Sequence, residues 1–242
     1  MKLIKEKQFY RTFLMLCLPI VLQNVISLSV NLTDNLMLGR YSESALSGVT
    51  AVNQIQFIYQ NILMGIGDGL VIISAQYWGK NDTGSIRKVS SVAMRAAVIL
   101  MAVLFAVVSL FPYLVVGLFT PDQAIITEGV SYLNIVRFTY PFFCVTTILL
   151  AVLRSTEVVR IAFYLSLSTL CINFCINWVL IYGRFGMPRL GARGAAIGTL
   201  CARVIECVII LLYIAKKEKN LHLRLADFLH IDHTIAKDYV RV

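Results

Sequence analysis

The chain has 242 residues, 58% of them hydrophobic and only 14% charged, whereas an ordinary soluble domain carries about 25% charged residues. That balance excludes a water-soluble globular fold and implies an all-α integral membrane protein, a six-transmembrane-helix bundle. The net charge of +9 points away from nucleic acid, because the cations are sorted by loop.

Six stretches reach the ~20 apolar residues of a spanning helix, roughly 12–38, 46–78, 92–119, 125–153, 161–182 and 195–215. With the N-terminus inside, the inward segments hold 16 Lys and Arg, and the outward segments hold only Arg40, Arg184, Arg189 and Arg193. Lys and Arg excess marks the cytoplasmic side, so both termini are assigned there. The organisation expected is a cytoplasmic N-terminus at 1–11, a six-helix lobe at 12–215 and a cytoplasmic linker at 216–242.

Lys2, Lys5, Lys7 and Arg11 precede the first apolar run, which is too long for a signal peptide and lacks a small-residue cleavage site. Pro19 is expected to kink this helix. Asp34 lies five residues before Gly39, hence about 7 Å from the outer helix end at 1.5 Å per residue. An acid at that depth is either an interfacial group touching headgroups or a functional one facing a cavity.

The second helix carries Asn53, Gln56 and Gln60 at helical spacing, beside Gln54 and Asn61. Such a stripe lines a water-filled cavity or packs on neighbouring helices. Asp68, between Gly67 and Gly69 near the inner surface, belongs to a packing or gate region. Turn chemistry at 79–84 and at Thr120-Pro121-Asp122 separates the next helices, with Asp122 placed to cap the fourth.

In the fourth span Arg137 has no acid at i±4, so its partner must come from another helix or a backbone carbonyl. Pro141, four residues on, predicts a kink. Asn173 and Asn177 share a face of the fifth helix, and Asn177 matches Asp34 in depth. Thr199, about eight residues into the sixth helix, reaches the same level. One carboxylate, two amides and a hydroxyl there form an oxygen site for a small cation or proton, or interhelical hydrogen-bond glue. Arg203 and Glu206, spaced i, i+3, are expected to neutralise each other.

All six cysteines lie within predicted spans, and neither a disulfide framework nor a metal site is expected. His222, His230 and His233 lack a ligand pattern with any acid or cysteine. No phosphate loop, catalytic His/Glu pair or nucleophile elbow is present, so no catalytic residue and no cofactor is assigned.

Several segments taken together resemble the multidrug and toxic compound extrusion (MATE) family. They are Pro19 with Asp34-Asn35-Leu36-Met37-Leu38-Gly39 and Ala45-Leu46-Ser47-Gly48, then Ala75-Gln76-Tyr77-Trp78-Gly79, then Tyr132-Leu133-Asn134-Ile135-Val136-Arg137 with Pro141 and Leu153-Arg154-Ser155. Asn173-Phe174-Cys175-Ile176-Asn177 with Leu180-Ile181-Tyr182-Gly183, and the run from Leu190 to Thr199, complete the pattern. The resemblance covers nearly the whole chain in order and spacing.

It implies a secondary transporter of the bacterial inner membrane that exports cationic or amphipathic drug-like compounds in exchange for Na⁺ or H⁺. In that family Asp34, Asn173, Asn177 and Thr199 would couple the cation; the reading of the spans themselves adds Asn53, Gln56 and Gln60 as lining of the substrate cavity, and Pro19, Gly39, Arg137, Pro141, Arg203 and Glu206 as structural or gating residues. Position 177 is Asn where the family pattern often has Asp, which leaves one carboxylate in the set. The family has twelve helices in two lobes, so a second six-helix lobe is expected as partner. A lipid-linked saccharide flippase of the same superfamily and a non-transporting scaffold half-protein are the alternatives.

Overall fold

The computed structural model describes residues 7–217; the linker expectation from 218 onward, with its three histidines, lies outside the described residues. Among these, eight helices follow one another: α1 (Lys7–Gly39), α2 (Glu43–Trp78), α3 (Thr83–Leu110), α4 (Pro112–Gly117), α5 (Gln123–Val136), α6 (Thr139–Ser155), α7 (Arg160–Tyr182) and α8 (Ala192–Lys217). Five of them are singly long and apolar enough to cross a bilayer, and α5 with α6, bent by 55°, makes a sixth crossing when taken as one span. The chain is a multi-pass membrane protein. α1 already covers residues 7–11.

The helix limits follow local chemistry. Ser42 caps α2 through its hydroxyl, which accepts from Ala45 N, and Asp122 caps α5 by accepting from Ala124 N at 2.8 Å. The third span is shifted from its expected 92–119 to 83–110. Its start comes early because Asp82 caps it, accepting from Ser85 N at 3.0 Å, so the polar turns around Arg87 and Lys88 are helical although they are not apolar. Its end comes early because Phe111 precedes Pro112, and the residue before a proline is pushed out of the helical region.

The fourth span breaks, but not at Pro141. The interruption lies at Arg137 and Phe138, where the helical assignment lapses. Proline has no N–H for the carbonyl four residues before it, which here is that of Arg137. That carbonyl instead accepts from Tyr140 N at 3.1 Å, so the deformation falls one turn ahead of the proline. α1, by contrast, remains one helix through Pro19.

α2 is the centre of the bundle and packs against α3, α5 and α6, while α1 leans mainly on α7. Close approach of α2 and α5 requires two glycines: a Cβ at Gly48 would fall 2.7 Å from Gly129 N, and one at Gly129 would fall 3.1 Å from Gly48 O. Leu38, Leu63, Leu133, Ile148 and Ile210 are wholly buried around this contact network. Tyr59 ties α2 to the broken span: its hydroxyl donates to Tyr140 O at 3.0 Å and the two rings stand 5.1 Å apart.

Candidate functional site

Three helices converge near one end of the bundle. α1 supplies Asp34, α7 supplies Asn173 and Asn177 from one face, and α8 supplies Thr199; all four are buried. Asn177 Nδ2 donates to Asp34 Oδ1 at 2.6 Å and to Asn173 Oδ1 at 3.1 Å. Asn173 Nδ2 donates to Thr199 Oγ1 at 3.3 Å, and Thr199 in turn donates to Ala195 O at 3.0 Å. The result is a continuous chain of hydrogen bonds from the carboxylate to the backbone of α8.

Small residues make this convergence possible. A Cβ on Gly194 would stand 2.8 Å from the Leu180 carbonyl carbon, and one on Gly198 would overlap Asn177 Oδ1. These glycines, four residues apart, let the backbones of α7 and α8 touch. α1 is fixed to α7 independently, because the Tyr182 hydroxyl donates to Met37 O at 3.0 Å.

The donors are oxygens: one carboxylate, two amide carbonyls and a hydroxyl, the set that hard cations accept. Asn177 Oδ1 is buried without a hydrogen-bond partner, which leaves acceptor capacity in the cluster. Its single carboxylate stands at membrane depth, where an ionised group needs a counter-charge or a proton.

Beside the cluster lies a cavity to which α1, α2, α6, α7 and α8 contribute, with Asn24, Gln60, Thr146, Thr169, Arg203 and Glu206 on its wall. A second pocket, between α1 and α2, is lined by Asn31, Asn35, Asn53, Gln56 and Gln60. Asn31 and Gln60 border both, so the polar stripe of α2 faces a polar strip of α1. Arg203 donates to Glu206 at 2.7 Å and stacks over Phe143 at 4.8 Å.

The other singled-out residues stand apart from the cluster. Gly39 ends α1, where a Cβ would meet Leu46 at 3.3 Å. Arg137 lies over the Phe138 ring at 5.2 Å, with its Nε buried and unpartnered, so the partner expected from another helix or a carbonyl is not found for that nitrogen. Asp68 is exposed and stands 3.9 Å from Arg154.

Two contributors escape sequence reasoning. Tyr132, almost fully buried on α5, interacts with both Thr199 and Asp34; a tyrosine in mid-span resembles any interior aromatic, and nothing in the pattern marks it. Arg154 looks like a loop cation but lines the cavity; the complementary charge at Asp68, on a different helix, was the available signal.

Residues 19–179 match the family model MatE. Among relatives, a probable multidrug resistance protein NorM of Thermotoga maritima is 26% identical over 204 residues, covering 84% of this chain and 44% of that protein. Its namesake in Rhizobium meliloti is 30% identical over 216 residues, covering 88% and 45%. Among solved structures, a MOP superfamily transporter from Pyrococcus furiosus superposes with a TM-score of 0.81 at 19% identity, over 100% of this chain and 54% of that one. A MATE crystal structure in a bent conformation gives 0.86 at 17% identity, over 96% and 51%. The structural likeness shows the fold, and the chain spans about half the length of the relatives it matches.

Proposed function

The chain belongs to the MatE family, and on that premise we propose that it forms the N-terminal six-helix lobe of a secondary exporter. This transporter moves cationic or amphipathic compounds across a bacterial inner membrane in exchange for Na⁺ or H⁺. The observation that carries the reading is the buried Asp34, bonded through Asn177 and Asn173 to Thr199 beside a polar hollow. A cation or proton arriving at Asp34 competes with the Asn177 amide for the carboxylate. Its arrival therefore changes how α1, α7 and α8 are held together, and with them the wall that Gln60 shares with the hollow.

Asn53, Gln56 and Gln60 meet the substrate, and the second wall comes from a further six-helix lobe joined through the 216–242 segment. Both termini lie in the cytoplasm, in line with the excess of Lys and Arg on inward segments. The lipid-linked saccharide reading has less support: Arg137 is not on the wall of the cavity, and of the two arginines that are, Arg203 is bonded to Glu206 and Arg154 faces Asp68 at 3.9 Å, which leaves few cations for a diphosphate.

The test is efflux of a fluorescent cationic dye by this chain co-expressed with a C-terminal lobe, under imposed Na⁺ or H⁺ gradients. Asp34→Asn abolishes gradient-driven efflux while the protein still inserts in the membrane. Full efflux by the variant sinks the coupling role, and efflux by the 242 residues alone sinks the need for a second lobe.

A further inference from the structure

Of the four arginines on the segments opposite the cation-rich side, three converge. Arg40 follows α1, while Arg184 and Arg189 lie on the connection between α7 and α8, yet all three line one pocket of about 480 Å³ with Tyr41, Tyr182 and Gly183. That volume is within the ~300–1,000 Å³ of small-molecule sites. Among the described residues none of the three is ion-paired with a carboxylate. Three like charges facing one concavity form a focused positive field that attracts an anion.

The connection is held in this shape by its glycines. Gly183 adopts φ 67°, and a Cβ there would fall 2.6 Å from Arg189 Cγ; Gly191, at φ 52°, lies against the Tyr41 ring so closely that a Cβ would overlap it. The first contact folds Arg189 back over the end of α7, and the second pins the far end of the connection to the turn that carries Arg40. Arg184 stacks on Trp178 at 5.3 Å.

A second observation bears on the kind of anion. Phe185 is 86% exposed and Met187 50% exposed, on the same connection as the arginines. Phe185 also has φ 57°, a left-handed backbone that is an outlier for a bulky residue. Apolar side chains held outward beside a cationic pocket, where two spanning helices end, match the boundary between headgroups and acyl chains. Phosphates lie at that level, and each Arg near an anionic membrane surface contributes to lipid attraction.

We propose that Arg40, Arg184 and Arg189 form a headgroup site for an anionic phospholipid, with Phe185 and Met187 anchored in the acyl boundary beside it. On the orientation given above this is the outer leaflet. The site is separate from the Asp34 cluster, so its test does not depend on transport.

The experiment measures binding of phosphatidylglycerol, phosphatidylcholine and inorganic phosphate to the purified 242-residue chain in detergent. Phosphatidylglycerol binds most tightly, and its affinity falls about fivefold for each Arg→Gln change and on the order of a hundredfold for R40Q/R184Q/R189Q. Arg193→Gln, an arginine outside the pocket that donates to Ser131 Oγ, leaves it unchanged. Single R40Q, in the turn after α1 and outside the glycine-pinned connection, carries the same test if the triple variant melts early. Wild-type affinity in R40Q or in a folded triple variant overturns the proposal. So does an equal loss with Arg193→Gln, and so does inorganic phosphate binding as tightly as the lipid.

Discussion

Gly198→Ala is the smallest change that separates the site from its surroundings. The new methyl group overlaps Asn177 Oδ1 and stands 3.0 Å from its Cγ, and α7 is already in contact with α8 through Gly194. Asn177 must turn away, and its two amide bonds go with it. A hydrogen bond to a charged group is worth about 1.5–3 kcal/mol and a neutral one about 1 kcal/mol, while alanine in place of a helical glycine returns about 0.5–1 kcal/mol. The net cost is about 2–3 kcal/mol, or about 4–12 °C in melting temperature for a chain of this size. Gly65→Ala provides the control, since no atom lies within 4 Å of its Cβ position; that variant should melt about 1–4 °C above the parent. Thermal unfolding in detergent reads both. In an Asn177→Ala background the Gly198→Ala change loses most of its cost. If Gly198→Ala melts like Gly65→Ala, the account of a glycine-permitted contact is wrong.

Tyr59→Phe keeps the ring contact with Tyr140 and removes the hydroxyl that donates to its carbonyl, so it should lower stability by about 1–2 kcal/mol; an unchanged melting curve would show the hydroxyl to be idle. For Arg203 and Glu206, each single neutral substitution strands a charge in the protein interior and costs about 3–5 kcal/mol. The double substitution costs less than the sum, and a double-mutant cycle in unfolding checks this against additivity. Asp82 is held below its ordinary value of 3.8 chiefly by the Ser85 hydroxyl, with the Ser85 backbone N–H as second donor. A lowered folded value means that the charged cap stabilises α3 above the unfolded value, and that this contribution fades as pH falls through the folded one. Protection against hydrogen exchange in the first turn of α3, taken relative to the unstructured chain at the same pH, should therefore fall below about pH 4, and lose that pH dependence in Asp82→Asn.

Much of this architecture is legible from composition and spacing. Apolar runs give the crossings because a bilayer demands about 20 such residues, and the depths of Asp34, Asn177 and Thr199 follow from counting residues to the nearest turn. Boundaries are less legible where capping competes with hydropathy: Asp82 begins α3 ahead of its apolar run, and Pro112 ends it within one. The break in the fourth span falls at Arg137 because a proline's missing donor is felt a turn earlier. Contacts that join different helices leave little local trace. Tyr132 at the Asp34 cluster depends on how α5 crosses α8, and Arg154 beside Asp68 on how α6 crosses α2, which no periodicity within one helix records.

The interruption between α5 and α6 also has an electrical side. A continuous helix would place the two ends of its dipole at the two ends of the span; here one rod ends and another begins within the span, so a partial negative and a partial positive pole meet there. Arg137 is the residue that closes α5, so its backbone stands where the two poles meet, and its guanidinium lies over the neighbouring Phe138 ring.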